Sequence, residues 1–246
     1  MPWSSAWGEG GSLFERAHHR RVAAILHAFD ADVLAANACL FGGGTAIALR
    51  HGEYRESVDI DFLVADAAGY RALRERLTGP LGIEAIARAP GLLEATREVR
   101  ADQYGIRTLL ASDGIGIKFE IVSEGRIALD SPGEADRICG VATLTPLDMA
   151  ATKLLANADR WADDAVMSRD LIDLAMMEPG KELFRLAAAK AAKAYGKSVA
   201  TSLGKAIEAL RARPQRLDRC MEALQMTAVP KALLWKRIKA LKVLAS

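Results

Sequence analysis

Two aspartates one residue apart, Asp59 and Asp61, follow the turn Gly43-Gly44-Thr45, with thirteen residues between Thr45 and Asp59. The stretch reads LFGGGTAIALRHGEYRESVDIDFLV. In a strand, alternate side chains share a face, so residues 59 and 61 are expected to project together, roughly 6–7 Å apart at Cα. Val58, Ile60 and Phe62 are then expected to point the other way, into a core. Two carboxylates on a wet face suit Mg²⁺, a hard cation that takes oxygen ligands and also engages substrate phosphates. The glycines let the backbone approach a phosphate closely, and the N–H groups of a helix starting near Thr45 can receive its charge. Each piece alone is a common surface feature. Their order (turn, helix, loop, acidic strand) is far more restrictive.

The elements that must position these residues can be read from periodicity. Leu13 to Phe29 has a helical pattern, with Val22, Ile25, Leu26 and Phe29 on one face. A short strand near Cys39 to Phe41 enters the glycine turn, a helix covers Thr45 to His51, and Ser57 to Val64 is the acidic strand. Gly69 to Leu77 reads as a helix ended by Gly79-Pro80. Strand-like runs follow at Ile83 to Ala87, Leu92 to Ala101, Gln103 to Ala111 and Ile115 to Val122, giving an α/β (α+β) region with a small mixed sheet. From Thr145 the pattern is all α. Thr145 before Pro146 is a good N-cap and first-turn pair, and Ser168 is expected to cap the next helix, which reaches Met177. Lys181 to Tyr195, Ser198 to Arg211, Pro214 to Leu224 and Pro230 to Leu244 complete the helices. The expected division is residues 1–140 as a catalytic domain and 141–246 as a helical domain, with the boundary in the loop between Ser131 and Thr145.

Further charged residues extend the constellation. Ile117, Phe119 and Ile121 form an apolar strand face, so Lys118 and Glu120 look outward together; Glu120 could complete a metal site, orient an acceptor hydroxyl, or simply face solvent. Lys153 sits in an otherwise apolar helix and could reach a triphosphate or the surface. Asp170 and Asp173, three apart, share a helix face. Arg55 and Ser57 precede the acidic strand as further candidate nucleotide contacts. His18, His19, His27 and His51 form no ligand set, and Arg20 and Arg21 beside the first two point to a solvated helix face.

Composition narrows the class. Of 246 residues, 51% are hydrophobic and 26% charged, as in an ordinary globular protein. No apolar run approaches a membrane span, and the N-terminal stretch lacks an apolar signal core, so no membrane association and a cytoplasmic location are expected. Cys39, Cys139 and Cys220 are too far apart for zinc spacing and are expected as reduced core residues. The net charge of +2 hides an asymmetry. Lys181 to Ser246 carries 15 Lys+Arg and 4 Asp+Glu, or +11, leaving −9 for residues 1–180. A basic helical tail beside an acidic half can attract a polyanion.

GGGTAIALRHG, RESVDIDF, TPLDMAATKLLA and SRDLIDL, in that order over about Phe41 to Leu174, resemble the AbiEii/AbiGii family of nucleotidyltransferase toxins. The resemblance implies a polymerase-beta-like domain followed by a helical domain, and membership of an abortive-infection or toxin–antitoxin pair with a cognate antitoxin protein. It implies nucleotide transfer from an NTP to a cellular acceptor, RNA and in some relatives tRNA 3′ ends, with Mg²⁺ as cofactor and Mn²⁺ as a substitute. Carried over residue by residue, Asp59 and Asp61 are the metal acids, Gly43, Gly44 and Thr45 cradle phosphates (serine is frequent where Thr45 stands), and Lys153 and Asp170 match the downstream Lys and Arg-Asp motifs. Glu120 as a third metal ligand is a reading of this strand alone. Two other readings use the same residues: a small-molecule, antibiotic-type nucleotidyltransferase, and a non-catalytic module binding nucleotide or a partner.

Overall fold

The structure, a computed structural model, describes residues 13–244. The expectation about an N-terminal signal concerns mainly residues 1–12, outside the described ones. The chain separates into two compact units, and neither is continuous. One takes in residues up to Phe41, Val58–Ser123 and Ser131–Thr143; the other takes in Gly42–Ser57, Glu124–Asp130 and residues from Leu144 onward. The chain passes from one unit to the other at five points, two of which, after Asp130 and after Thr143, flank the loop where a single boundary was expected.

The first unit is built on a five-stranded mixed sheet. Its strands are β1 (Leu40–Phe41), β2 (Ile60–Val64), β3 (Arg100–Ala101), β4 (Gly105–Ser112) and β5 (Ile115–Ser123). They lie in the order β1-β2-β5-β4-β3, with β2 and β5 parallel and the other pairs antiparallel. Alternation decides the faces. Ile60, Phe62, Ile106, Leu110, Ile117, Phe119 and Ile121 are all buried. Phe29, Phe41, Phe62 and Phe119 meet at ring-centroid separations of 5.4–5.9 Å, with Phe29 edge-on to Phe62 at 87°. Helices α1 (Ala17–Ala28), α2 (Ala31–Ala36) and α4 (Ala67–Leu77) also belong to this unit. The last two start where an aspartate caps them: Asp30 accepts from the N–H groups of Asp32 and Val33, and Asp66 from that of Gly69 at 2.6 Å.

Several sequence expectations give way here. Val58 is exposed rather than core-facing, because β2 begins only at Ile60 and the preceding segment runs free of the ladder. Gly82–Ile86 is a 3₁₀ helix, its buried Ile83 and Ile86 three apart as that turn requires, rather than a strand. Of Leu92 to Ala101 only Arg100 and Ala101 form a strand, with an isolated bridge at Ala95. The stretch read as loop before Thr145 contains a hairpin, β6 (Arg137–Ile138) and β7 (Val141–Ala142). His19 is fully buried, so that part of α1 is not a solvated face.

The second unit is helical: α3 (Gly43–Arg50), α5 (Pro146–Arg160), α6 (Arg169–Met177), α7 (Lys181–Tyr195), α8 (Ser198–Ala212), α9 (Pro214–Ala223) and α10 (Lys231–Leu244). Thr145 caps α5 as expected, accepting from the Asp148 N–H at 3.2 Å with Pro146 in the first turn. Ser168 precedes α6 but makes no side-chain cap, because its backbone is left-handed with φ +52°. All three cysteines are buried and unpaired with one another. No helix among the described residues is long and apolar enough to cross a membrane.

Candidate active site

In the sheet unit, register assembles one charged face. Asp61 on β2 lies opposite Glu120 on β5, and Glu120 lies opposite Arg107 on β4. Paired residues on neighbouring strands point the same way, so all three share the face away from the aromatic core. Asp59, just before β2, and Asp61 are both half-buried. Their charges act on Lys118, whose ammonium stays protonated to higher pH than usual; burial opposes this, but the bond to Glu120 and the charges of Glu120, Asp61 and Asp59 prevail.

Glu120 shares the acidic face as expected, but its oxygens are engaged. Arg107 Nε donates to Oε1 and Lys118 Nζ to Oε2, each at 2.7 Å. Burial would raise its carboxyl pKa, yet these two cations hold it below the ordinary value. Service as a third metal ligand would require breaking both bonds. Asp59 and Asp61 are carboxylates of the kind Mg²⁺ takes one or two of, completing its shell with phosphate and water. Among the described residues no group of three or more His, Cys, Asp or Glu is disposed to hold a metal ion.

The helical unit holds the other sequence candidates. Gly42 and Gly43 make the turn into α3; Gly43 has φ +67°, a left-handed conformation that favours glycine. Thr45 lies in the first turn of α3, and its hydroxyl donates to that of Ser57 at 2.8 Å. Gly44 has a different reason to be glycine: a Cβ there would overlap the guanidinium of Arg55. That guanidinium is buried and bidentate on Asp173, with Nε–Oδ1 at 2.7 Å and Nη2–Oδ2 at 3.0 Å. Tyr54 donates its hydroxyl to the same Oδ1 at 2.6 Å. Lys153 Nζ reaches Asp173 Oδ2 at 2.7 Å and Asp170 Oδ1 at 3.0 Å, and Arg160 forks onto Asp170 at 2.7 and 3.0 Å.

Three cations and two carboxylates therefore share one largely buried network. Burial would raise the Asp173 and Asp170 pKa values, but Arg55 and Lys153 hold Asp173 well below the ordinary value, and Lys153 and Arg160 do the same for Asp170. Lys153 is buried too, and the two aspartates outweigh burial to keep it charged.

These partners revise the sequence expectations. Arg55 is paired with Asp173 and Ser57 accepts from Thr45, so either would exchange a partner on contacting a nucleotide. Lys153 could meet a phosphate only by exchanging a carboxylate. For Asp170, the depressed pKa favours orienting Lys153 over accepting a proton. Sequence reasoning missed Tyr54, Arg107 and Arg160. Arg160 stands seven residues after Lys153, about two turns along the same helix, so helical spacing could have flagged it. Tyr54 and Arg107 carry no comparable local signal.

Two Helicobacter pylori crystal structures are similar to this chain, one of a candidate nucleotidyltransferase and one of JHP933. Each has 19% identity and a TM-score of 0.49, covering 92% of this chain and 93% and 90% of theirs respectively. No curated protein sequence matches the chain. The sequence profile of a family described as nucleotidyl transferase AbiEii toxin, type IV toxin–antitoxin system, matches residues 24–241. With most of its length accounted for in this way, the chain belongs to the AbiEii toxin family and is a nucleotidyltransferase.

Proposed function

We propose that the chain moves a nucleoside monophosphate from an NTP to an RNA acceptor, with tRNA the expected class, as the Mg²⁺-dependent toxin of a toxin–antitoxin pair. The observation that carries this reading is the pair Asp59 and Asp61 at the start of β2, on a charged sheet face. A hydroxyl oxygen of the acceptor attacks the α-phosphorus in line, the bond to the β-phosphate oxygen breaks, pyrophosphate leaves, and the hydroxyl proton passes to solvent. Such transfer needs positioning and charge neutralisation more than covalent help. Asp59 and Asp61 would hold Mg²⁺, which when bound supplies charge neutralisation at the reacting phosphate. The turn at Gly43 into α3 would offer backbone N–H groups to phosphate oxygens. Lys153 contributes positive charge, oriented by Asp170 and Asp173.

The excess of +11 over residues 181–246 supports a polyanionic acceptor over a small drug-like one. Control by a cognate antitoxin and action in the cytoplasm follow from the same family reading. The basic helical segments bind the acceptor, and the acids perform transfer. Incubating the protein with each α-phosphate-labelled NTP, Mg²⁺ and total cellular RNA tests the reading. A labelled tRNA-sized band, lost in Asp61→Ala, is the expected result. No label with any NTP would overturn it.

A further inference from the structure

The sheet unit carries an open groove of about 610 Å³, four of whose seven lining residues are basic: Arg97, Arg100, Arg107 and Lys118. Glu98 is its single lining acid. Register places Arg100 opposite Arg107, Arg107 opposite Glu120, and Glu120 opposite Asp61. These four form one row across the sheet, cationic at the β3 edge and anionic at β2. Arg107 and Lys118 are engaged with Glu120, and Arg107 also with Asp102 at 3.0 Å. Arg97 and Arg100 are exposed and form no ion pair among the described residues. Thr108 fixes the backbone there by donating its hydroxyl to the Arg97 carbonyl at 2.6 Å.

The Arg100–Arg107 pairing is the second observation. Arg107 is already neutralised by Glu120 and Asp102, so the cross-strand pairing leaves Arg100 as the cation of the row without a carboxylate partner among the described residues, with exposed Arg97 close by along the groove. Planar guanidinium forks such as theirs match phosphate oxygens. Three strand spacings separate β3 from β2, so Arg100 lies roughly 14 Å from Asp61. A triphosphate with its α-phosphorus at the acids does not extend that far. A polymer whose phosphates recur along its length does.

We propose that this groove is a track for the phosphodiester backbone of a single-stranded polynucleotide, the acceptor, leading its reacting end to Asp61. The inference rests on Asp59 and Asp61 being the acids at the reacting centre. Arg97 and Arg100 grip backbone phosphates, and the gradient of charge along the row fixes which end of the groove is the entrance.

Equilibrium binding of a short fluorescein-labelled oligouridylate to the full chain over a salt series tests this without turnover. R97Q/R100Q should weaken binding roughly tenfold and lower the slope of log affinity against log salt by about 1.4, at about 0.7 per phosphate lost on a single strand. R97K/R100K, which keeps the charge, should retain most of that slope, and ATP affinity should be unchanged in both. An unaltered slope in R97Q/R100Q overturns the track. Loss of ATP affinity with oligonucleotide binding intact also overturns it and assigns the groove to the triphosphate. The two readings separate through Asp61→Asn: if that variant transfers nucleotide normally while R97Q/R100Q loses oligonucleotide binding, the metal-acid reading fails, and the groove keeps its polynucleotide but loses its lead to Asp61.

Discussion

The two charged clusters use the same residue types to opposite ends. On the sheet face, Arg107 and Lys118 are 40% and 46% exposed as side chains while paired to Glu120. In the helical unit, Arg55 and Asp173 are 4% and 0% exposed. Exposed pairs gain little from each other because water screens them, and they exchange partners readily. Buried pairs have surrendered hydration and hold only while every partner is present. The sheet face is therefore suited to receiving a ligand's charge, whereas the buried network is suited to holding the α3 turn in one shape.

The strongest way to break this contrast is to remove the ligand-facing acid. Asp61→Ala should lower transfer by about a thousandfold or more, equivalent to about 4 kcal/mol of transition-state stabilisation. Its urea midpoint should stay near that of the wild type. A large fall in midpoint would mean that Asp61 belongs with the structural charges instead.

Asp173→Asn attacks the other side. Leaving Arg55 and Lys153 short of a buried counter-charge should cost about 3–5 kcal/mol in urea unfolding. A cost under about 1 kcal/mol would show the network to be solvated and the contrast to be false. The pH dependence has a defined sign. Asp170 and Asp173 have depressed folded pKa values, so their contribution is present above the unfolded carboxylate pKa of about 3.9 and is lost as pH falls through the folded values. Lys153 is raised, so its contribution is complete below about 10.4 and is lost only as pH rises beyond that. Wild-type stability from this network should be level between roughly pH 5 and 9 and fall steeply below 4. In Asp173→Asn the acid limb should be shallower.

Gly44→Ala should come next, at about 1–3 kcal/mol, because the added methyl must displace a guanidinium that Asp173 holds with two bonds. A neutral result would mean that Arg55 can swing aside at no cost. Smallest of all is Arg107→Gln, expected to shift stability by less than about 1 kcal/mol while letting the Glu120 pKa rise, measurable by NMR titration. A cost like that of Asp173→Asn would erase the distinction between the clusters.

What could be read from the sequence was what is local. The glycine turn, α3, β2, β5 and the Thr145-Pro146 cap each follow from neighbours within a few residues, and all are present. The β6–β7 hairpin escaped because its turn, Cys139-Gly140, reaches positive φ at both positions with a cysteine where asparagine or aspartate would have announced it. Residues 83–99 misled because scattered apolar residues that suit a strand instead serve a 3₁₀ turn, at Ile83 and Ile86, and an exposed segment anchored by Leu93. The candidate site was legible as a set of residues and not as pairings. Helical spacing put Asp170 and Asp173 on one face, but nothing local reveals that Asp173 takes Tyr54 and Arg55 from more than a hundred positions earlier.

That long reach has a consequence in time. Arg55 and Asp173 are 118 residues apart. At about 5–20 residues per second, roughly 6–24 s of synthesis separate the appearance of the guanidinium from that of its carboxylate. Until then the α3 turn has no clamp, so a growing chain holds all of its glycine and D-x-D motif but not their support. A ribosome-stalled chain ending before Asp173 should bind no ATP, and one extended through α10 should bind it; binding by the shorter chain would show that the turn forms without the clamp. Completion of the clamp thus waits for α6, long after the sheet strand that carries Asp61 has left the ribosome.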